Sequence, residues 1–157
     1  NFGAAPGYRW HMYAVIYRTP ILGELFQICA TRWLFHVLLN LDNPKPLPAV
    51  FIDRMFKHSD WGMSRGMLKF YRATPDLGER SVHLVSILKE RNIPALVLWG
   101  EGDKYLSASY AAKQNEYFDS EVHILPNCGH WPMIDEPEKV TKLLISFLKK
   151  QCNAALF

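Results

Sequence analysis

The chain has 157 residues, of which 49% are hydrophobic and 13% aromatic, with a formal net charge of +3. That length allows one domain or a piece of one, and that composition excludes intrinsic disorder. No run of about 18 apolar residues occurs, which argues against a membrane-spanning helix; the richest stretch, Trp33 to Leu41, is too short and contains His36.

Charge is unevenly spread. Residues 1–75 hold nine Lys/Arg and four Asp/Glu, and residues 76–157 hold nine and eleven. The basic residues are scattered and match no nucleic-acid module, so a solvated basic surface is expected and nucleic acid is not. Cys29, Cys128 and Cys152 are odd in number. Their spacing fits neither a zinc site nor a disulfide framework, which points to a reducing, cytoplasmic setting. Asn1 opens the chain without a signal peptide, and the true N-terminus is expected to lie outside this segment.

Residues 8–75 read as helices joined by proline-marked breaks. His11 to Tyr17 is short and aromatic. After Thr19-Pro20 comes an apolar segment from Ile21 to Leu41. Asp42 to Pro48 holds three prolines and reads as a loop. Ala49 to Lys57 and Asp60 to Arg72 read as helices, the second with Met63, Met67, Phe70 and Tyr71 on one face.

The pattern changes after residue 80. Ser81 can cap a helix whose inner face is Leu84, Val85 and Leu88. Ala95 to Trp99 is a continuous apolar run between a proline and a glycine, suited to a strand buried on both faces. Ser107 can cap a helix reaching about Phe118, and Val122 to Leu125 reads as a second strand. Pro137 fits the first turn of a last helix, where its missing N–H costs nothing. Val140, Leu143, Leu144, Phe147 and Leu148 give that helix an apolar stripe. Helix–strand–helix–strand–helix order implies parallel strands with crossover helices, hence an α/β fold.

Two short motifs carry the chemistry. Gly100-Glu101-Gly102-Asp103 follows the first strand, and Asn127-Cys128-Gly129-His130-Trp131-Pro132 follows the second. Open parallel sheets place functional groups in loops after strand C-termini. Adjacent strands lie roughly 5 Å apart, so the two loops can bring Asp103 and His130 together. A carboxylate and a histidine so placed are the supporting members of a nucleophile–histidine–acid triad. Glu101 is the competing acid, nearer the strand end.

These residues resemble the C-terminal part of an α/β-hydrolase-fold enzyme. ALVLWGEGD is similar to the family's strand and acid turn, and PNCGHWPMIDEPEKV to its histidine loop and final helix. YRWH, YRTPILGELF and MLKFYRATP resemble the helical cap of epoxide-hydrolase-like and haloalkane-dehalogenase-like members. The resemblance implies a partial fold: a helical cap over 1–76, with the end of a preceding core strand at 1–3, then the C-terminal part of the core over 77–157 with the last two parallel strands and flanking helices.

What the resemblance implies for function is the acid/histidine half of a hydrolase that works through a covalent intermediate, without cofactor or metal. His130 would be the general base and Asp103 would hold its tautomer. The implied substrate is small to medium and hydrophobic: an ester, an epoxide or a related compound. The cap tyrosines Tyr8, Tyr13, Tyr17 and Tyr71 are candidates to hydrogen-bond an epoxide oxygen, although aromatics in a cap mostly pack. Trp131 either lines the pocket or packs beneath the histidine loop. His11, His36, His58, His83 and His123 read as structural. The alternative reading is a non-catalytic ligand-binding protein on the same fold, or an inactive truncated piece.

No nucleophile is assigned in this chain. Gly62-Met63-Ser64-Arg65-Gly66 spells G-x-S-x-G, but that motif works only as a strained turn between a buried strand and a helix. The residues before it, Phe56 to Trp61, are polar and those after it continue a helical stripe. Ser64 is therefore expected in a helix. The segment alone is expected to be inactive, to need the N-terminal half of the fold as its partner, and to self-associate through an unpaired strand edge.

Overall fold

A computed structural model describes residues 9–74, 86–87, 89–117 and 119–154. The strand end expected at 1–3, Tyr8, His83, Phe118 and the helix expected from Ser81 with Leu84, Val85 and Leu88 lie outside the described residues.

Five helices come first: α1 Met12–Arg18, α2 Leu22–Cys29, α3 Arg32–Asp42, α4 Ala49–Lys57 and α5 Trp61–Ala73. Three of them start on a side chain that accepts a first-turn N–H: His11 from Ala14, Thr31 from Leu34 and Asp60 from Met63. Such an acceptor is worth about 1 kcal/mol to a helix. The apolar segment Ile21 to Leu41 is two helices. Thr31 starts the second one, and Ala30 ends the first in a non-helical conformation.

Side-chain clamps tie this helical segment together. Arg72 forks onto Glu24 at 2.6 and 2.8 Å, joining α5 to α2. Arg32 forks onto Asp53 at 2.7 and 2.8 Å, joining α3 to α4, and His36 adds a 2.8 Å bond to the same carboxylate. Arg18 donates to the carbonyls of Tyr71 and Thr74. Ala14 in α1 and Ile52 in α4 are fully buried.

The second half is a parallel pair, β1 Ala95–Gly100 and β2 Ser120–Leu125, in register from Ala95 opposite Ser120 to Gly100 opposite Leu125. Between them lie the short helix α6 Ser109–Lys113 and a 3₁₀ turn over Gln114–Glu116. After them come α7 Pro132–Asp135 and the long α8 Pro137–Ala154. The order and the parallel pairing agree with the sequence reading.

Two expectations need correction. Ser107 does not cap a helix in the expected way: its Oγ accepts from Ser109 N at 3.3 Å, a local turn, and the helix starts two residues later. Ala95 to Trp99 is half-buried, and only Gly100 at the strand's end is fully covered. Ala95 to Trp99 has a strand on one side only among the described residues, so its covering is incomplete.

Candidate active site

The strand ends and the loops after them build the site. Gly100 closes β1 against the loop that follows β2. A β-carbon at Gly100 would stand 2.0 Å from the Gly129 carbonyl oxygen and 2.5 Å from that of Cys128, so only glycine allows this approach. The two loops then bond directly: Glu101 N donates to Leu125 O at 3.0 Å and Gly102 N to Cys128 O at 2.9 Å. Asn127 turns the second loop in the left-handed conformation, φ 56°, which asparagine tolerates. The Cys128 side chain beneath is fully buried, and burial pushes its thiol pKa up.

That framework brings Asp103 and His130 together. His130 Nδ1 lies 2.8 Å from Asp103 Oδ2, across 27 residues of sequence. Asp103 Oδ1 accepts the backbone N–H groups of Tyr105 at 2.8 Å and Leu106 at 2.9 Å. The carboxylate thus has three hydrogen bonds while its side chain is only 6% exposed, so its buried oxygens are satisfied. With Asp103 Oδ2 accepting, the shared proton sits on His130 Nδ1, which leaves Nε2 as the acceptor. Glu101, the competing acid, is exposed.

Several residues of this site carry no motif and escape sequence reading. Tyr105 packs edge-on to His130, ring centroids 4.8 Å apart, and also touches Trp131. Its hydroxyl donates to Asp42 Oδ2 at 3.1 Å, and Tyr13 donates to the same oxygen at 2.7 Å. Burial, followed by the Asp42 charge, holds the Tyr105 phenol well above its ordinary pKa; burial and the Asp42 bond do the same for Tyr13. Asn43 is buried and donates to Lys45 O at 2.9 Å and Asp135 Oδ1 at 2.8 Å, while Asp135 Oδ2 accepts Gly129 N at 2.7 Å. Asp42 and Asn43 thereby tie the end of α3 to both the acid turn and the histidine loop. The only hint in the sequence is that polar pair leading into the proline-rich loop.

A cavity of about 610 Å³ opens between the helical segment and His130. Its wall includes Met63, Met67, Phe70 and Tyr71 from α5, the face anticipated for that helix. Tyr13, Tyr17 and Trp131 also line it; Trp131 packs against Phe51 and His130 as well, so it fills both suggested roles. His11 and His58 line the same cavity, unlike His36 and His123, which pair with Asp53 and Glu121.

Ser64 sits inside α5, buried, with Oγ 3.3 Å from Gln27 Oε1. It is therefore no part of a strand-to-helix turn. Among the described residues no group of three or more His, Cys, Asp or Glu could hold a metal ion, and no helix is long and apolar enough to cross a membrane.

Residues 2–143 match the sequence profile of the alpha/beta hydrolase family. The chain belongs to the alpha/beta hydrolase family. Among the family's relatives, Epoxide hydrolase 3 of Xenopus tropicalis is 37% identical over 60 residues, covering 37% of this chain and 16% of its own length. The 2-hydroxy-6-oxo-6-(2'-aminophenyl)hexa-2,4-dienoic acid hydrolase of Metapseudomonas resinovorans is 37% identical over 62 residues, 39% of this chain and 21% of its own. Monoacylglycerol lipase ABHD6 of Mus musculus is 35% identical over 62 residues, 39% of this chain and 18% of its own. The match therefore spans about a fifth or less of these relatives. In fold, the chain superposes on a 2-hydroxy-6-oxo-6-phenylhexa-2,4-dienoate hydrolase of Rhodococcus with a TM-score of 0.68, at 15% identity, covering 93% of this chain and 52% of that one. This alpha/beta hydrolase chain therefore has a partial form of the fold: helices followed by two parallel strands with flanking helices.

Proposed function

We propose that Asp103 and His130 are the acid and the base of a hydrolase centre. The observation that carries this reading is the 2.8 Å bond from His130 Nδ1 to a carboxylate held by two backbone N–H groups. In such a centre His130 Nε2 takes a proton, either from a serine nucleophile or from the water that hydrolyses an ester intermediate. The imidazolium that forms is stabilised by Asp103. Three named relatives are hydrolases of an epoxide, a dienoic acid and a monoacylglycerol, which supports hydrolysis as the reaction class.

In this reading the five helices are the substrate-covering cap, and the second half belongs to the core. The place of Ser64 inside α5 speaks against it as the nucleophile, and this reading assigns no nucleophile among the described residues. The apolar, aromatic cavity suits a small to medium hydrophobic substrate.

The test is to extend the coding sequence on its 5′ side and assay the longer protein on p-nitrophenyl esters and styrene oxide. Turnover should appear there, vanish with His130→Ala, and be absent from the 157-residue chain alone. Near-normal turnover in the His130→Ala protein excludes the assigned base.

A further inference from the structure

His11 is a second imidazole close to the pair. Tyr105 touches both rings, at centroid distances of 5.4 Å from His11 and 4.8 Å from His130. His11 Nδ1 accepts the N–H of Ala14 at 3.2 Å and so starts α1. A ring nitrogen that accepts carries no proton, so in the neutral ring the proton is on Nε2. Protonating Nδ1 would remove that acceptor and set a positive charge at the positive end of the helix. Burial, with the nearby His130 second, lowers the basicity of His11, in keeping with a neutral ring.

Nε2–H therefore stands as a fixed donor on the cavity wall, with no hydrogen-bond partner among the described residues. The rings around His11 are those of Tyr13, Tyr71 and Tyr105, at centroid distances of 6.3, 6.2 and 5.4 Å, and the wall beyond is largely apolar, with Phe26, Leu34, Leu38 and Met67. No Lys or Arg lines the cavity among the described residues, and Asp42 sits beside Tyr13 and Tyr105. An anionic ligand would find no counter-charge there.

We infer that His11 positions the substrate: its Nε2–H donates to a carbonyl, ester or epoxide oxygen of a neutral ligand whose apolar body fills the cavity. The inference deepens the hydrolase reading and rests on it only for the bond that is broken. The ligand class is set by the cavity itself. A carboxylate substrate, like the dienoates in two of the names above, would meet no Lys or Arg among the described lining residues.

Calorimetric titration of the 5′-extended protein with three probes tests this without turnover. Acetophenone has the acceptor oxygen, α-methylstyrene replaces that oxygen with a methylene, and benzoate carries a charge. Acetophenone should bind about tenfold more tightly than α-methylstyrene, the worth of one well-made neutral hydrogen bond, and benzoate should not bind. His11→Asn keeps a side-chain acceptor for the start of α1, and its amide donor sits on a shorter side chain that stops short of the place where Nε2–H stood. It should lose that tenfold for acetophenone and leave α-methylstyrene and the unfolding midpoint unchanged. If this variant does not fold, the ¹⁵N resonance of His11 Nε2 in the unsubstituted chain decides: it should move with acetophenone and stay with α-methylstyrene. Equal binding of acetophenone and α-methylstyrene, binding of benzoate, failure of all three to bind, or an unmoved resonance overturns the inference. None of these touches the His130 turnover test.

Discussion

Gly129 rests against Asn43 so closely that a β-carbon at 129 would stand 1.8 Å from Asn43 Oδ1. This oxygen is buried and has no hydrogen-bond partner among the described residues. Its neighbour is the glycine backbone, while the amide nitrogen of the same side chain holds Lys45 O and Asp135. The residue before His130 is thus packed against the end of α3.

Gly129→Ala should push Asn43 out of place and break those two bonds. Overpacking of this kind costs about 1–3 kcal/mol, to be read from urea unfolding. Adding Asn43→Gly to the same chain should recover part of the loss. Strict additivity of the two substitutions would show that the contact is not the cause.

Asp103→Asn should preserve the turn, since an amide oxygen still accepts from Tyr105 and Leu106. The amide nitrogen would then face His130 Nδ1 and force the proton to Nε2. In the extended enzyme, turnover should fall on the order of 10⁴-fold. In the 157-residue chain, imidazole ¹⁵N shifts should report the tautomer change directly. An unchanged tautomer contradicts the assignment of Asp103.

Tyr105→Phe removes one of two phenols that share Asp42 Oδ2. A hydrogen bond to a charged group is worth about 1.5 kcal/mol or more, so a loss of that size is expected in chemical unfolding. Tyr13→Phe should behave similarly. Combining them should cost more than the sum, because Asp42 then keeps no side-chain donor among the described residues. A double-mutant cycle with zero coupling would refute the shared carboxylate.

Ser64→Ala should leave turnover of the extended enzyme unchanged. The substitution gives up one long bond to Gln27, a loss of about 1 kcal/mol at most. Abolished activity would restore Ser64 as nucleophile.

The tyrosines of the cavity predict an alkaline limit. Burial, with Tyr71 second, raises Tyr17 to about 12 from 10.0, and burial raises Tyr71 too. A phenol with a raised folded pKa stabilises fully below the unfolded value. That contribution is lost as pH climbs from 10.0 to about 12, because the unfolded chain gives up its proton first. Tyrosinate absorbance and circular dichroism should therefore change together in that window. Phenol ionisation near 10 with the helical signal intact would contradict it.

The α/β order, both strands and three of the five N-terminal helix spans were legible because proline, glycine and apolar periodicity act locally. The pairing of Asp103 with His130 was legible as well, since one crossover unit fixes where strand ends meet. Ser64 was placed correctly by the polar residues ahead of it. The break at Thr31 was missed because an apolar stripe runs on both sides of a single capping residue. Tyr105, Asp42, Asn43 and His11 were missed as site residues for another reason. Their roles arise only when the helices fold over the strand ends, and no sequence spacing records that approach.

Asn43 and Pro44 matter for anyone recombining hydrolases. Pro44 Cγ would lie 2.5 Å from a β-carbon at Gly102, as Asn43 does for Gly129. One dipeptide is thus moulded to the acid turn and the histidine loop at once. A chimaera that grafts foreign helices onto these strands must carry that dipeptide with the strands; a junction placed after it would exchange the cavity wall and misalign Asp103 and His130 in the same cut.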